Sequence, residues 1–106
     1  MTKSSQKLTN NLYKAILALQ NLAETRRFMR DLLTEAEIRE FSNRWQAAQM
    51  LDKKIPYTKV EKATGLSSTT VARVAKWLKR GMGGYRLMLK RQNHHGKSTS
   101  FGKGLP

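Results

Sequence analysis

The chain has 106 residues, with 21 Lys and Arg against 7 Asp and Glu, a formal net charge of +14 and no cysteine. A single domain of this size buries a modest part of its surface and often gains core by dimerising, and without cysteine it has neither a disulfide framework nor a thiolate metal site. The longest apolar run, Ala15 to Leu19, is far too short to cross a bilayer and the N-terminus lacks the apolar core of a signal peptide, so a soluble cytoplasmic protein is expected.

The charge is unevenly placed. Residues 1–33 carry six cations and two anions, residues 34–55 four of each, and residues 56–106 eleven cations against one anion, Glu61. A field of this polarity draws in a polyanion and speeds encounter with it. Duplex DNA, RNA, an anionic membrane or an acidic protein would all satisfy charge alone.

Residues 1–7 read as a flexible N-terminus, and a helix is expected over 8–23. Leu8, Leu12, Ile16, Leu19 and Leu22 follow helical spacing, while Ala15, Leu17 and Ala18 make a second side apolar. A helix wet on one face is not built that way. Either it lies deep inside a monomer or a second subunit covers it, and in so small a chain the second reading is favoured. A shorter helix follows from Glu24 to Leu32, with Phe28, Met29 and Leu32 inward.

Thr34 and Glu37 then have the spacing of a capping box. The helix they open carries Ile38, Phe41, Trp45, Ala48, Leu51 and Ile55 in one stripe, and Pro56 ends it. Thr58 and Glu61 repeat the capping-box spacing at the start of a short helix with Val60 and Ala63 inward. Gly65 accepts the left-handed conformation common just past a helix end. Ser67 or Ser68 caps the next helix, with Val71, Val74, Ala75 and Leu78 buried and Gly81 stopping it. Tyr85 to Leu89 is a short amphipathic piece of undetermined form. Residues 90–106 read as a flexible basic tail, leaving residues 8–89 as the domain. No strand pattern or internal repeat occurs, so the fold is all α.

Residues 57–76 have the layout of a helix-turn-helix. With Val60, Leu66, Val71 and Val74 holding the two helices together, Ser67, Ser68, Thr69, Thr70, Ala72, Arg73 and Lys76 are left for a groove. Arginine pairs bidentately with guanine, hydroxyls bond base edges or phosphates, and small apolar groups meet thymine methyls. Thr58, Lys59 and Lys62 on the first helix are placed for backbone phosphates, which position a protein without specifying sequence. A bare αα corner would need the turn but not this polar face. Trp45 reads as core, with Trp77 at the edge of the buried stripe. His94 and His95 stand side by side with no third ligand, so no metal site is expected. No catalytic grouping stands out, so an enzyme is not expected.

From Leu32 through Arg73 the chain resembles the Trp-repressor superfamily, in particular its YerC/YecD-type bacterial members. The resemblance covers roughly residues 12–89. It implies an intertwined homodimer of Trp-repressor-like helical domains with two reading heads, a transcriptional repressor of double-stranded DNA. It also implies an amino-acid clamp of two arginines. One matches Arg73; the other falls on Asn43, with Arg44 turned away by about 100° of helix. Asn43 and Arg73 therefore define the candidate effector pocket. The missing charge counts against tryptophan, leaving an unknown effector and no required cofactor. Alternatives are a DNA-recognition subunit of a transposase-type system and a non-specific basic nucleic-acid-binding protein. A nucleoid-associated location would follow from DNA binding.

Overall fold

The computed structural model describes the backbone of residues 2–99 and the side chains of residues 2–93. Among the described residues the chain is all α, with six helices: α1 (Lys3–Leu17), α2 (Leu22–Leu32), α3 (Glu35–Asp52), α4 (Tyr57–Thr64), α5 (Ser68–Arg80) and α6 (Gly84–Thr99). The chain divides between Arg39 and Glu40 into two units.

In the first unit, α1 begins earlier than its apolar spacing predicts. The Thr2 hydroxyl accepts the Ser5 N–H at 3.1 Å, so residues 3–7, expected to be flexible, are helical. Nor does the helix run on to Ala23. It stops at Leu17, and Asn21 starts a new one, its Oδ1 accepting the Glu24 N–H at 2.9 Å. Glu24 reaches back to the Gln20 N–H at 2.9 Å, holding the turn from both sides. Phe28 and Met29 are half-buried, but Leu32, expected inside, is exposed. No residue of α1 or α2 is buried. Leu8, Leu17 and Leu22 are 70%, 84% and 71% exposed. At the unit's end the Thr34 capping box forms as its spacing predicts. Glu37 N–H donates to Thr34 Oγ1 at 3.1 Å, and Thr34 N–H to Glu37 Oε1 at 2.9 Å. The Arg30–Glu35 ion pair nearby is exposed at 3.0 Å and adds little.

The second unit holds the core. Ala47 and Ala48 of α3, Val60 of α4, Leu66 of the turn and Val71 and Val74 of α5 form one buried cluster. Trp45, Met50, Leu51, Ile55 and Tyr85 pack around it, and Leu89 of α6 is buried too. The predicted α3 stripe thus holds from Trp45 onward. Phe41 departs from it, being exposed beneath the Arg44 guanidinium, 5.8 Å from its ring centroid.

α3 ends at Asp52, short of Ile55. Lys54 takes a left-handed conformation (φ 63°), its N–H donating to the Leu51 carbonyl and that of Ile55 to Met50. This is a Schellman closure with lysine at the position glycine usually fills. It turns Ile55 back onto the core before Pro56 is reached.

The second capping box does not form. Pro56 is the N-cap of α4 with no side-chain cap bond, and its carbonyl takes the Lys59 and Val60 N–H groups. Thr58 therefore lies inside the helix rather than in front of it. Ala63 is exposed, and Thr64 takes the inward place assigned to it. α6 resolves the form of residues 85–89 as helix and continues to Thr99, so residues 90–99 of the expected flexible tail are helical. Residues 100–106 lie outside the described residues.

Candidate nucleic-acid interface

α4, the turn and α5 form a helix-turn-helix whose apolar seam is closed. Val60 and Val71 are fully buried, and Leu66 and Val74 nearly so. Gly65 has φ 74°, and its N–H donates to the Glu61 carbonyl at 2.8 Å. No atom would meet a Cβ there, so the conformation and not space calls for glycine. The buried Thr64 hydroxyl ties the corner, donating to the Val60 carbonyl at 2.8 Å and accepting the Leu66 N–H at 3.2 Å. Sequence spacing missed this residue. A threonine before a capping glycine can bond backwards to a carbonyl, which is the signal it offered.

α5 starts from Ser67, whose Oγ accepts the Thr70 N–H at 3.1 Å and donates to Thr70 Oγ1 at 3.0 Å. Of the two candidate caps, Ser67 is the one used. This places Ser67 and Thr70 partly in service of the helix start, with Thr70 half-buried. Ser68, Thr69, Ala72, Arg73 and Lys76 are exposed on α5, as are Thr58, Lys59 and Lys62 on α4. Lys76 Nζ lies 5.9 Å from the Trp77 ring centroid. The candidate DNA-facing residues thus share one helix-turn-helix, and all but Thr70 stand open to solvent. None of them has an acidic ion-pair partner among the described salt bridges.

Beside this face, Tyr57, Ala72, Ala75, Lys76, Lys79 and Arg80 line a polar groove of about 270 Å³. A second cleft, of about 500 Å³, is apolar and lined by Trp45, Trp77, Met82, Tyr85 and Met88. Trp45 stacks on Tyr85 there, ring centroids 6.4 Å apart and 19° from parallel. Trp45 therefore serves both core and cleft, while Trp77 is 49% exposed. Asn43 is half-buried on α3 and Arg73 exposed on α5, and neither lines the aromatic cleft. Among the described residues no group of three or more His, Cys, Asp or Glu side chains could hold a metal ion. No described helix is long and apolar enough to cross a membrane.

Residues 7–93 match the family model described as Trp repressor protein. The chain belongs to the Trp repressor family. It is 38% identical over 82 residues to the YerC protein of Bacillus subtilis (strain 168), covering 77% of this chain and 79% of that one. Two crystal structures show the same architecture. A TrpR-like protein from Eubacterium eligens ATCC 27750 superposes with a TM-score of 0.78 at 33% identity, over 82% of this chain and 90% of its own. A candidate Trp repressor from Staphylococcus aureus gives a TM-score of 0.78 at 32% identity, over 88% and 96%. The Trp repressor family is one of DNA-binding regulators rather than enzymes. Its match takes in α2 to α5 whole, and so includes every residue of the helix-turn-helix.

Proposed function

We propose that this protein is a dimeric, sequence-specific reader of double-stranded DNA that regulates transcription, most simply as a repressor. The observation that carries this is the open face of α5. Ser68, Thr69, Ala72, Arg73 and Lys76 are exposed over a seam that is otherwise fully closed. A helix serving only as a corner has no reason to gather guanine- and phosphate-binding groups on its outer side. In this reading the first turns of α5 enter the major groove, Arg73 reads a base edge, and Thr58, Lys59 and Lys62 hold the backbone.

The dimer rests on the first unit. Its helices expose Leu8, Leu17 and Leu22 and fully bury no residue, which a second copy of the chain would remedy. Two heads related by a two-fold axis read half-sites about one helical turn apart. The reading requires no cofactor. It leaves tryptophan out as effector, because Asn43 brings an amide and no charge to an amino-acid carboxylate.

Selection of bound sequences from a random duplex pool, with and without added amino acids, tests this directly. The expected result is one enriched two-fold motif, unchanged by tryptophan. Retention that tracks salt but enriches no motif would replace the reading with a non-specific nucleic-acid binder.

A further inference from the structure

α5 is two-sided about its axis. At about 100° per residue, Ser68, Thr69, Ala72, Arg73, Lys76, Lys79 and Arg80 all fall within one arc of about 140°. Buried Val71 and Val74 occupy the opposite side, with Leu78, expected buried, only half-buried there. The reading face therefore does not stop at Lys76 but continues through the last turn of the helix.

At that end the surface is concave. Its lining combines the small side chains of Ala72 and Ala75 with Tyr57 from the start of α4 and the cations Lys76, Lys79 and Arg80. Among the described residues no acidic one lines this groove. Beyond Pro56 the sequence offers only Glu61, which is half-buried elsewhere on α4. Cations in a last helical turn are in part accounted for by the helix dipole. The dipole does not account for a phenol from another helix or for two alanines lining the same groove.

The length of α5 lets its last turn reach the phosphate backbone. From Ser68 to Arg80 the axis rises about 18 Å, whereas the major groove is about 8.5 Å deep. A helix inclined into that groove with its first turns on the bases brings its last turn to the rim, where the backbone runs. We infer that Tyr57, Lys76, Lys79 and Arg80 form a phosphate seat that clamps the DNA backbone at the edge of the groove read by Ser68, Thr69 and Arg73. This rests on the DNA-reading function above and adds Tyr57, Lys79 and Arg80 to the contact surface. These three position the duplex and carry no sequence information.

The test is the salt dependence of binding to the selected duplex and to an unrelated duplex, for the full chain and three variants. The variants are Lys79→Ala with Arg80→Ala, Tyr57→Phe, and a control, Lys3→Ala with Lys7→Ala, which removes the same charge from exposed positions on α1. For the groove double variant the slope of log affinity against log salt should shrink by about one per cation removed in each bound protomer. Affinity should fall by a similar factor on both duplexes, with sequence preference kept. Tyr57→Phe should weaken binding less than tenfold, and the control should leave the slope nearly unchanged. A parent slope retained by the groove double variant would overturn the seat, leaving those cations as helix-end charges. An equal loss from the control would also overturn it, in favour of a diffuse field. A parent chain that binds neither duplex would instead remove the DNA-reading function itself, so the two failures are distinguishable. Circular dichroism melts of the exposed variants, expected to match the parent, separate loss of contact from loss of fold.

Discussion

Arg73 carries the most information of any single side chain in the proposed interface, because it is exposed on the first half of α5 and has no described ion-pair partner. A guanidinium that meets guanine with two parallel bonds discriminates that base by about 1–3 kcal/mol. Arg73→Ala should therefore weaken binding by roughly 10- to 100-fold per half-site and flatten preference at one base in each half-site. Arg73→Lys keeps the charge but not the fork, so it should recover affinity for unrelated duplex without restoring that preference. Competition binding against single-base variants of the site reads both effects. If Arg73→Ala lowered affinity equally for all sequences, the residue would be a phosphate contact. Lys54 is the opposite kind of residue, one whose side chain matters less than its backbone. It holds φ 63° at the close of α3. A residue with a Cβ bears about 1–2 kcal/mol there, which glycine avoids. Lys54→Gly should raise the denaturation midpoint by a margin worth about 1 kcal/mol, a stabilisation unusual for a lysine-to-glycine change.

At the scale of elements, the corner between α4 and α5 depends on one hydroxyl. Thr64 Oγ1 both donates to the Val60 carbonyl and receives the Leu66 N–H, and the residue is buried. Thr64→Val keeps the volume and removes both bonds, leaving the Leu66 N–H without its partner at a cost of about 1–3 kcal/mol. Thr64→Ser keeps both bonds and loses a methyl. The valine variant should melt well below the serine variant and bind DNA less tightly, since the turn sets the angle between the two helices. A serine variant that melted below the valine variant would mean that the methyl, not the hydroxyl, matters. Thr64 also marks where sequence reading ran out. Val60, Leu66, Val71 and Val74 were legible because local spacing alone puts them on facing sides of two short helices, and Gly65 because few residues accept its φ. The break after Leu17 was hidden, since Leu19 and Leu22 continue the apolar spacing of α1 across a turn that Asn21 and Glu24 create. The Pro56 start of α4 overrode a capping pattern that was formally present at Thr58. The Trp45–Tyr85 stack joins residues forty positions apart in the chain, beyond the reach of any local pattern. At the interface the contrast is similar. The outward cations were readable from the helix, but the groove beside them needs Tyr57 from a different element.

For the whole molecule, the question is how α1 and α2 stay folded when neither buries a residue. Isolated helices of their lengths are marginal in water, and helical stability in proteins comes chiefly from packing an apolar face. Leu17 and Leu22, both exposed by more than two thirds, flank the turn between these helices. In a two-fold dimer each position counts twice, so four leucine side chains would enter the interface. At roughly 1.5–3 kcal/mol per fully buried leucine, even partial cover amounts to several kcal/mol, enough to move a dimer from submicromolar to beyond micromolar dissociation. Leu17→Glu with Leu22→Glu adds like charges across the axis and should convert the protein to monomer at ten micromolar in sedimentation velocity. Its helical ellipticity should fall as well, because α1 and α2 lose the surface that holds them. On DNA the monomer should keep weak affinity for a single half-site and lose the gain from a correctly spaced pair. Lengthening the spacer of the two-fold site by half a helical turn should cost the parent most of its affinity and the monomeric variant almost none. A parent chain that already sediments as a monomer, with the double variant equally helical, would show that the exposed leucines face water and that each reading head acts alone.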